Sequence, residues 1–220
     1  MTTRLRLAFS QSDPAARANH RIGNNLSVIA GLVRMRASNV GAGARPFECK
    51  EVQAILAELG GQIDAVARLH RRLGGAPEED VDIGEYLREV SAAVVAALSG
   101  GRQVRLTFAC DQPCFSSPER ALTIGLIVVE LLTNAVKYAH PTGVPGEVDV
   151  ACVREEDGAI TVSVRDDGVG LPEGMDPMNT DSLGLRLVRS MAAQLSARIQ
   201  FTDNELGLAC ALQMPGERRA

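Results

Sequence analysis

His20 opens the heptapeptide His20-Arg21-Ile22-Gly23-Asn24-Asn25-Leu26. At about 100° per residue along a helix, His20, Asn24, Ser27 and Gly31 share one narrow stripe of polar and small residues, with Ile22, Leu26, Ile29 and Val33 opposite. An exposed imidazole is a competent nucleophile near neutral pH, where much of it is unprotonated. From this helix alone, a surface histidine without a role remains the simpler reading. His70 is the contrast, because it falls on an apolar seam and reads as a packing or interface residue.

Three further sets of residues carry chemistry in their spacing. Glu130, Asn134 and Lys137 stand at i, i+4 and i+7, so they share one face of an otherwise apolar helix. A carboxylate and an amide oxygen are hard ligands for magnesium, and an ammonium suits phosphate, so the trio fits a magnesium triphosphate. Lys137 is one of only two lysines in the chain. Its neighbours Ile127, Val128, Val129, Leu131 and Leu132 favour a buried cleft over a solvated polar face. Asp166-Asp167-Gly168-Val169-Gly170 directly follows a strand pattern. Its glycines let backbone approach a flat ligand, and Asp166 can accept from an exocyclic amine such as that of adenine. A plain strand-to-loop turn has the same composition. Gly184 and Leu185 open a helix after Ser182, where free N–H groups could hold phosphates and the preceding stretch could act as a lid.

The elements that must position these residues are legible from periodicity and punctuation. Residues 13 to about 73 read as two helices around the turn-rich stretch 38–46, the first capped by Ser12 or Asp13 with Pro14 at its first position. The second carries Val52, Leu56, Leu59, Ile63, Val66, His70 and Leu73, a heptad-like seam suited to a helical hairpin or four-helix bundle. The linker 74–80 marks a domain boundary. Beyond it the chain alternates: helix 83–98, strand 104–109, helix 117–139, strands 147–153 and 160–165, loop 166–181, helix 183–195, and strands 198–201 and 208–214. Helices layered on one face of a mixed sheet follow from that order.

Composition sets the outer bounds. The 220 residues are 45% hydrophobic and carry a net charge of −4, enough chain for one or two domains with a real core. Mild acidity makes nucleic acid a poor partner. No apolar run reaches the roughly 18 residues a membrane span needs, and the N-terminus lacks a signal-peptide stretch. Five cysteines, an odd number without a C-x-x-C pair, point to reduced thiols in a cytosol. Cys110 and Cys114 have no matching second pair, so no zinc site is expected.

In this order and spacing, the four sets together resemble the sensor histidine kinases, in the subgroup related to the HWE kinases, whose dimerisation domain begins with an H-R-x-x-N-N-L box. The similarity runs from about Arg17 to Pro215. It implies that His20 is the phosphoacceptor. It makes Glu130, Asn134 and Lys137 the N-box, with Asn134 and Glu130 on magnesium and Glu130 assisting phosphoryl transfer. Asp166, Gly168 and Gly170 match the first glycine box, whose Asp recognises adenine, and Gly184 with Leu185 the second, beside the phosphates. The implied ATPase fold is the Bergerat sandwich shared with gyrase B. There are departures. The chain has no Trp and so no W-x-E element, Val129 stands where HWE kinases carry a His, and Gly23 replaces a usual Lys. The second glycine box has one Gly, and Leu208 follows Gly207 where a Thr is common.

The expected protein is therefore α+β: residues 1–76 a dimerisation and phosphoacceptor hairpin, forming a four-helix bundle with a second copy, and residues 77–220 an ATP-binding sandwich. The resemblance implies a cytoplasmic protein-histidine kinase that autophosphorylates His20 from Mg-ATP and passes the phosphoryl group to a response-regulator receiver domain. Asn24, one turn beyond His20, is the candidate for orienting water during dephosphorylation of the regulator. Few residues precede the first helix, so no sensor domain is expected there and the signal would arrive through a separate sensory protein. The alternative on the same fold is a histidine phosphotransferase or response-regulator phosphatase with a degenerate ATPase domain. A non-enzymatic adaptor that sequesters a receiver domain is a third. Retention of Glu130, Asn134, Lys137, Asp166 and Gly170 weighs against both.

Overall fold

The computed structural model describes residue 60 and residues 80–99, 103–141, 144–180, 182–203 and 207–216. The chain divides into two compact units, Met1–Pro46 and Phe47–Ala220, and the described residues all belong to the second. Apart from Gly60, which is helical, the expected hairpin, the boundary at residue 76, His20 and Asn24 lie outside them.

The described part is built on a five-stranded sheet in the order β2-β4-β5-β7-β6. Its strands are β2 (Val104–Ala109), β4 (Gly146–Arg154), β5 (Ile160–Asp166), β6 (Arg198–Asp203) and β7 (Leu208–Met214). β2 runs parallel to β4, and the other neighbours are antiparallel. The long helix between β2 and β4 serves as the crossover that parallel pairing requires. Two short strands, β1 (Val81–Asp82) and β3 (Phe115–Ser116), form a separate ribbon that the sequence patterns did not reveal. At two residues each they are too short to show a period of two.

Alternation buries one face of the sheet. Val148, Val150 and Cys152 on β4, Val162 and Val164 on β5, and Cys210, Leu212 and Met214 on β7 all point into the core. Three helices cover that face: α1 (Ile83–Leu98), α2 (Pro118–Tyr138) and α3 (Leu183–Gln194). The α1 start is fixed by Asp82, whose Oδ1 accepts from Gly84 N at 2.9 Å. Ser117 caps α2 ahead of Pro118, as the cap-then-proline pattern predicts.

α2 is long and apolar enough by length and composition to cross a membrane, but 72% of that stretch is buried within the fold. It is the central core helix, packed against α1, α3, β4 and β5. Ile124, Ile127, Val128 and Leu132 are fully enclosed. Cys110 and Cys114 do have a third thiol beside them, because Cys152 comes from the neighbouring strand β4. Its distance along the chain hid it from a search for paired motifs.

Candidate active site

α2 carries Glu130, Asn134 and Lys137 in successive turns of one face. Glu130 is only 2% exposed, whereas Asn134 and Lys137 are half-buried. The stripe therefore runs from the core towards solvent. Charged Glu is rarely so enclosed unless it is partnered or functional.

Opposite Glu130 stands the beginning of α3. A Cβ built on Gly184 would lie 3.2 Å from Glu130 Oε2. Ser182, the N-cap of α3, makes no side-chain capping bond. The first N–H groups of that helix thus keep the anion-attracting character of an uncapped N-terminus. Leu185 is buried and anchors this first turn. The segment before α3 is tied back by Arg189, which donates to Pro177 O at 2.8 Å and to Thr180 O at 3.0 Å. Asp176 orders the same segment by accepting from Met178 N at 2.8 Å.

Asp166 closes β5 and is 8% exposed. Its Oδ1 accepts from Gly168 N at 3.0 Å and from Leu208 N at 3.2 Å. The donor at position 208 is main chain, so Leu in place of Thr keeps this contact. Gly168 must be glycine for space, since a Cβ there would meet Ala139 at 2.4 Å. Val169 N donates to Ala139 O at 2.9 Å. These contacts clamp the loop after β5 onto the C-terminal end of α2, joining two of the predicted sets. Gly170, at φ +70°, faces Asp203 at the end of β6, which accepts from Leu171 N at 3.1 Å. No side chain fits between them.

Several supporting residues escaped the sequence reading. Gly207 has φ +114°, and a Cβ there would stand 1.9 Å from Asp166 O. Asp203 is invisible as a motif because its partner is a loop 32 residues earlier. Asp167 accepts from His140 Nε2 at 2.7 Å and from Glu147 N at 2.8 Å. Burial alone would push its carboxyl up. The main-chain donor of Glu147 and the His140 ring outweigh that and hold it below the ordinary carboxylate value. His140 lies two residues beyond α2, so this pair fixes the helix end against β4. A histidine two residues after an amphipathic helix was the available signal.

A buried carboxylate, an amide and an ammonium on one helix, an uncapped helix start beside them, and an aspartate under a glycine loop define a nucleotide-binding sandwich. The comparisons with known proteins agree. The family described as "Histidine kinase" matches residues 18–98, and "Histidine kinase-, DNA gyrase B-, and HSP90-like ATPase" matches residues 119–216. The chain belongs to the histidine kinase family. The sensor histidine kinase PdtaS of Mycobacterium tuberculosis is 29% identical over 217 residues, covering 97% of this chain and 42% of that protein. Blue-light-activated histidine kinase 2 of Erythrobacter litoralis is 27% identical over 205 residues, covering 91% and 56%. The chain thus spans about half the length of these curated relatives. The solved Erythrobacter litoralis EL346 blue-light activated histidine kinase matches with a TM-score of 0.65 at 26% identity, covering 94% of this chain and 64% of that one. Its histidine kinase domain alone matches with a TM-score of 0.63 at 22% identity, covering 88% and 94%. That second likeness bears on the fold only.

Proposed function

We propose that this chain is a cytoplasmic histidine kinase that autophosphorylates His20 from Mg-ATP and passes the phosphoryl group to an aspartate on a response-regulator receiver domain. The observation that carries the reading is the pairing of buried Glu130 with the uncapped start of α3 at Gly184, on the helix face that also bears Asn134 and Lys137. In this reading the carboxylate, amide and ammonium of that face and the main-chain donors beside Glu130 serve one bound nucleotide.

In this reading an imidazole nitrogen of His20 attacks the γ-phosphorus, the bond to the bridging oxygen breaks, and ADP leaves with that electron pair. Glu130 polarises the nucleophile, Lys137 offsets phosphate charge, and the free N–H groups at Gly184 and Leu185 hold the phosphates. Asp166 Oδ1 is occupied by two main-chain donors, so Oδ2 is the oxygen for the adenine amine. Glu130 and Asn134 offer the hard oxygen donors a magnesium ion takes, and the ion would supply charge neutralisation along the phosphates. Transfer onward exchanges the N–P bond for an acyl phosphate on the receiver aspartate, and Asn24 orients the water that later hydrolyses it. The hairpin of residues 1–76 pairs with a second copy to form the four-helix bundle that presents His20.

The test is a chase. The chain is incubated with magnesium and γ-labelled ATP, freed of nucleotide, and mixed with a receiver domain. Acid-labile label that moves from the kinase to the receiver supports the reading. A chain that binds ATP yet acquires no acid-labile label contradicts it.

A further inference from the structure

The described thiols outside the nucleotide face include a compact trio. Cys110 follows β2, Cys114 precedes β3, and Cys152 lies on β4. Parallel register sets Ala109 opposite Ala151, so Cys110 and Cys152 are the next residues along neighbouring strands. The turn Asp111-Gln112-Pro113 folds Cys114 back beside them, and the three Sγ atoms all lie within 4.8 Å of one another. Cys114 and Cys152 are fully buried, whereas Cys110 is half-buried and gives the trio a solvent side. Val148 on β4 pairs with Asp166. Four residues further along the strand, Cys152 is about 13 Å from that end of the site.

The geometry suits a metal. Zinc binds thiolate sulfur at about 2.3 Å in a tetrahedron, which places sulfurs about 3.8 Å apart, and a C-x-x-x-C pair is within the usual ligand spacing. Cys110 Sγ and Asp82 Oδ1 both crowd the point where a Gly84 side chain would begin, at 2.5 and 3.2 Å. A larger residue at position 84 would fill the approach to the cluster.

We propose that Cys110, Cys114 and Cys152 form a three-thiolate zinc site, with a water from the solvent side at Cys110 as the fourth ligand. Each thiol loses its proton to solvent as its Zn–S bond forms, and no electron transfer is involved. An oxygen at the fourth position favours divalent zinc over a purely thiophilic monovalent ion. The ion would clip the β2–β3 turn to β4 at the end of the sheet away from the nucleotide.

The test uses the full chain, reduced, stripped with a chelator and kept free of nucleotide. Cobalt(II) is titrated in as the spectroscopic probe, followed by zinc(II). The expected result is one equivalent of cobalt with sulfur-to-cobalt charge-transfer absorption and tetrahedral d–d bands, bleached by one equivalent of zinc. Cys110→Ser, the half-buried and least disruptive change, is expected to weaken binding at least roughly 10-fold while its circular dichroism stays that of the parent. Cys210→Ala, on β7, is expected to leave the bands unchanged. Absence of charge-transfer bands in the reduced parent would overturn the site. So would a cobalt affinity unchanged by Cys110→Ser, or bands lost in Cys210→Ala.

Discussion

Gly184 stands over Glu130 so closely that a Cβ would lie 3.2 Å from the Glu130 Oε2 oxygen. Two sequence segments separated by β4 and β5 thereby meet at one corner, the one proposed to take the phosphates. Alanine favours a helix over glycine by about 1 kcal/mol, and the tight contact opposes that gain. Gly184→Ala is therefore expected to leave the unfolding midpoint nearly unchanged while raising the Kd for ATP several-fold. Calorimetry beside a thermal melt checks both halves. An unchanged Kd would remove Gly184 from the phosphate end of the site.

The N-box residues separate by role. Glu130→Gln keeps the buried volume, and loss of a proton-handling group typically costs 10²–10⁴-fold. Phosphorylation is expected to slow by roughly 10²-fold or more with little change in ATP affinity. Asn134→Ala is expected to lose the magnesium dependence of binding as well. Single-turnover labelling with nucleotide titrations distinguishes these outcomes, and equal loss of affinity in both variants would merge the two roles.

Asp166 supports the loop, besides its proposed contact with the adenine amine. Asp166→Ala deserts two main-chain donors and is expected to destabilise the fold by about 1–3 kcal/mol. Asp166→Asn keeps an oxygen for those donors, so it is expected to be nearly as stable as the parent while losing preference for ATP over GTP. Competition between the two nucleotides measures the preference.

The Asp167–His140 pair makes a prediction about pH. A carboxyl held below its ordinary value binds its proton more weakly in the folded chain than in the unfolded one. Its stabilisation is full above about pH 4 and is lost as pH falls through the lowered value. Asp167→Asn is expected to lower the unfolding midpoint at pH 7, with the gap to the parent closing towards pH 3. A gap independent of pH would show that the pair contributes through shape alone. Half of the Asp167 side chain is exposed, so the effect is small.

Gly207 is the strictest main-chain position. Its φ of +114° and the 1.9 Å approach of a Cβ to Asp166 O leave no room for a side chain. Gly207→Ala is expected to cost on the order of 3 kcal/mol, seen in chemical denaturation.

Much of this was legible in the sequence, for identifiable reasons. α1 and β7 have the predicted limits, Ile83–Leu98 and Leu208–Met214, because Asp82 caps one and an alternating apolar run makes the other. Glu130, Asn134 and Lys137 were readable because helical spacing alone places them on one face. What escaped depends on contacts between distant segments. Asp203 matters only through Leu171, Gly207 only through Asp166, and Cys152 only because β4 happens to lie beside β2. Such partners are set by sheet order, and local periodicity carries no record of it. His20 and Asn24 were named from one helical stripe and a family resemblance, and both lie outside the described residues.

The central claim is that the γ-phosphoryl group of ATP arrives on His20. Labelling of the parent beside His20→Ala and Asn134→Ala tests it most directly, with calorimetry confirming that His20→Ala still binds nucleotide. The account predicts acid-labile label on the parent and on neither variant, and intact ATP binding in His20→Ala. Label of undiminished strength on a folded His20→Ala chain would contradict it.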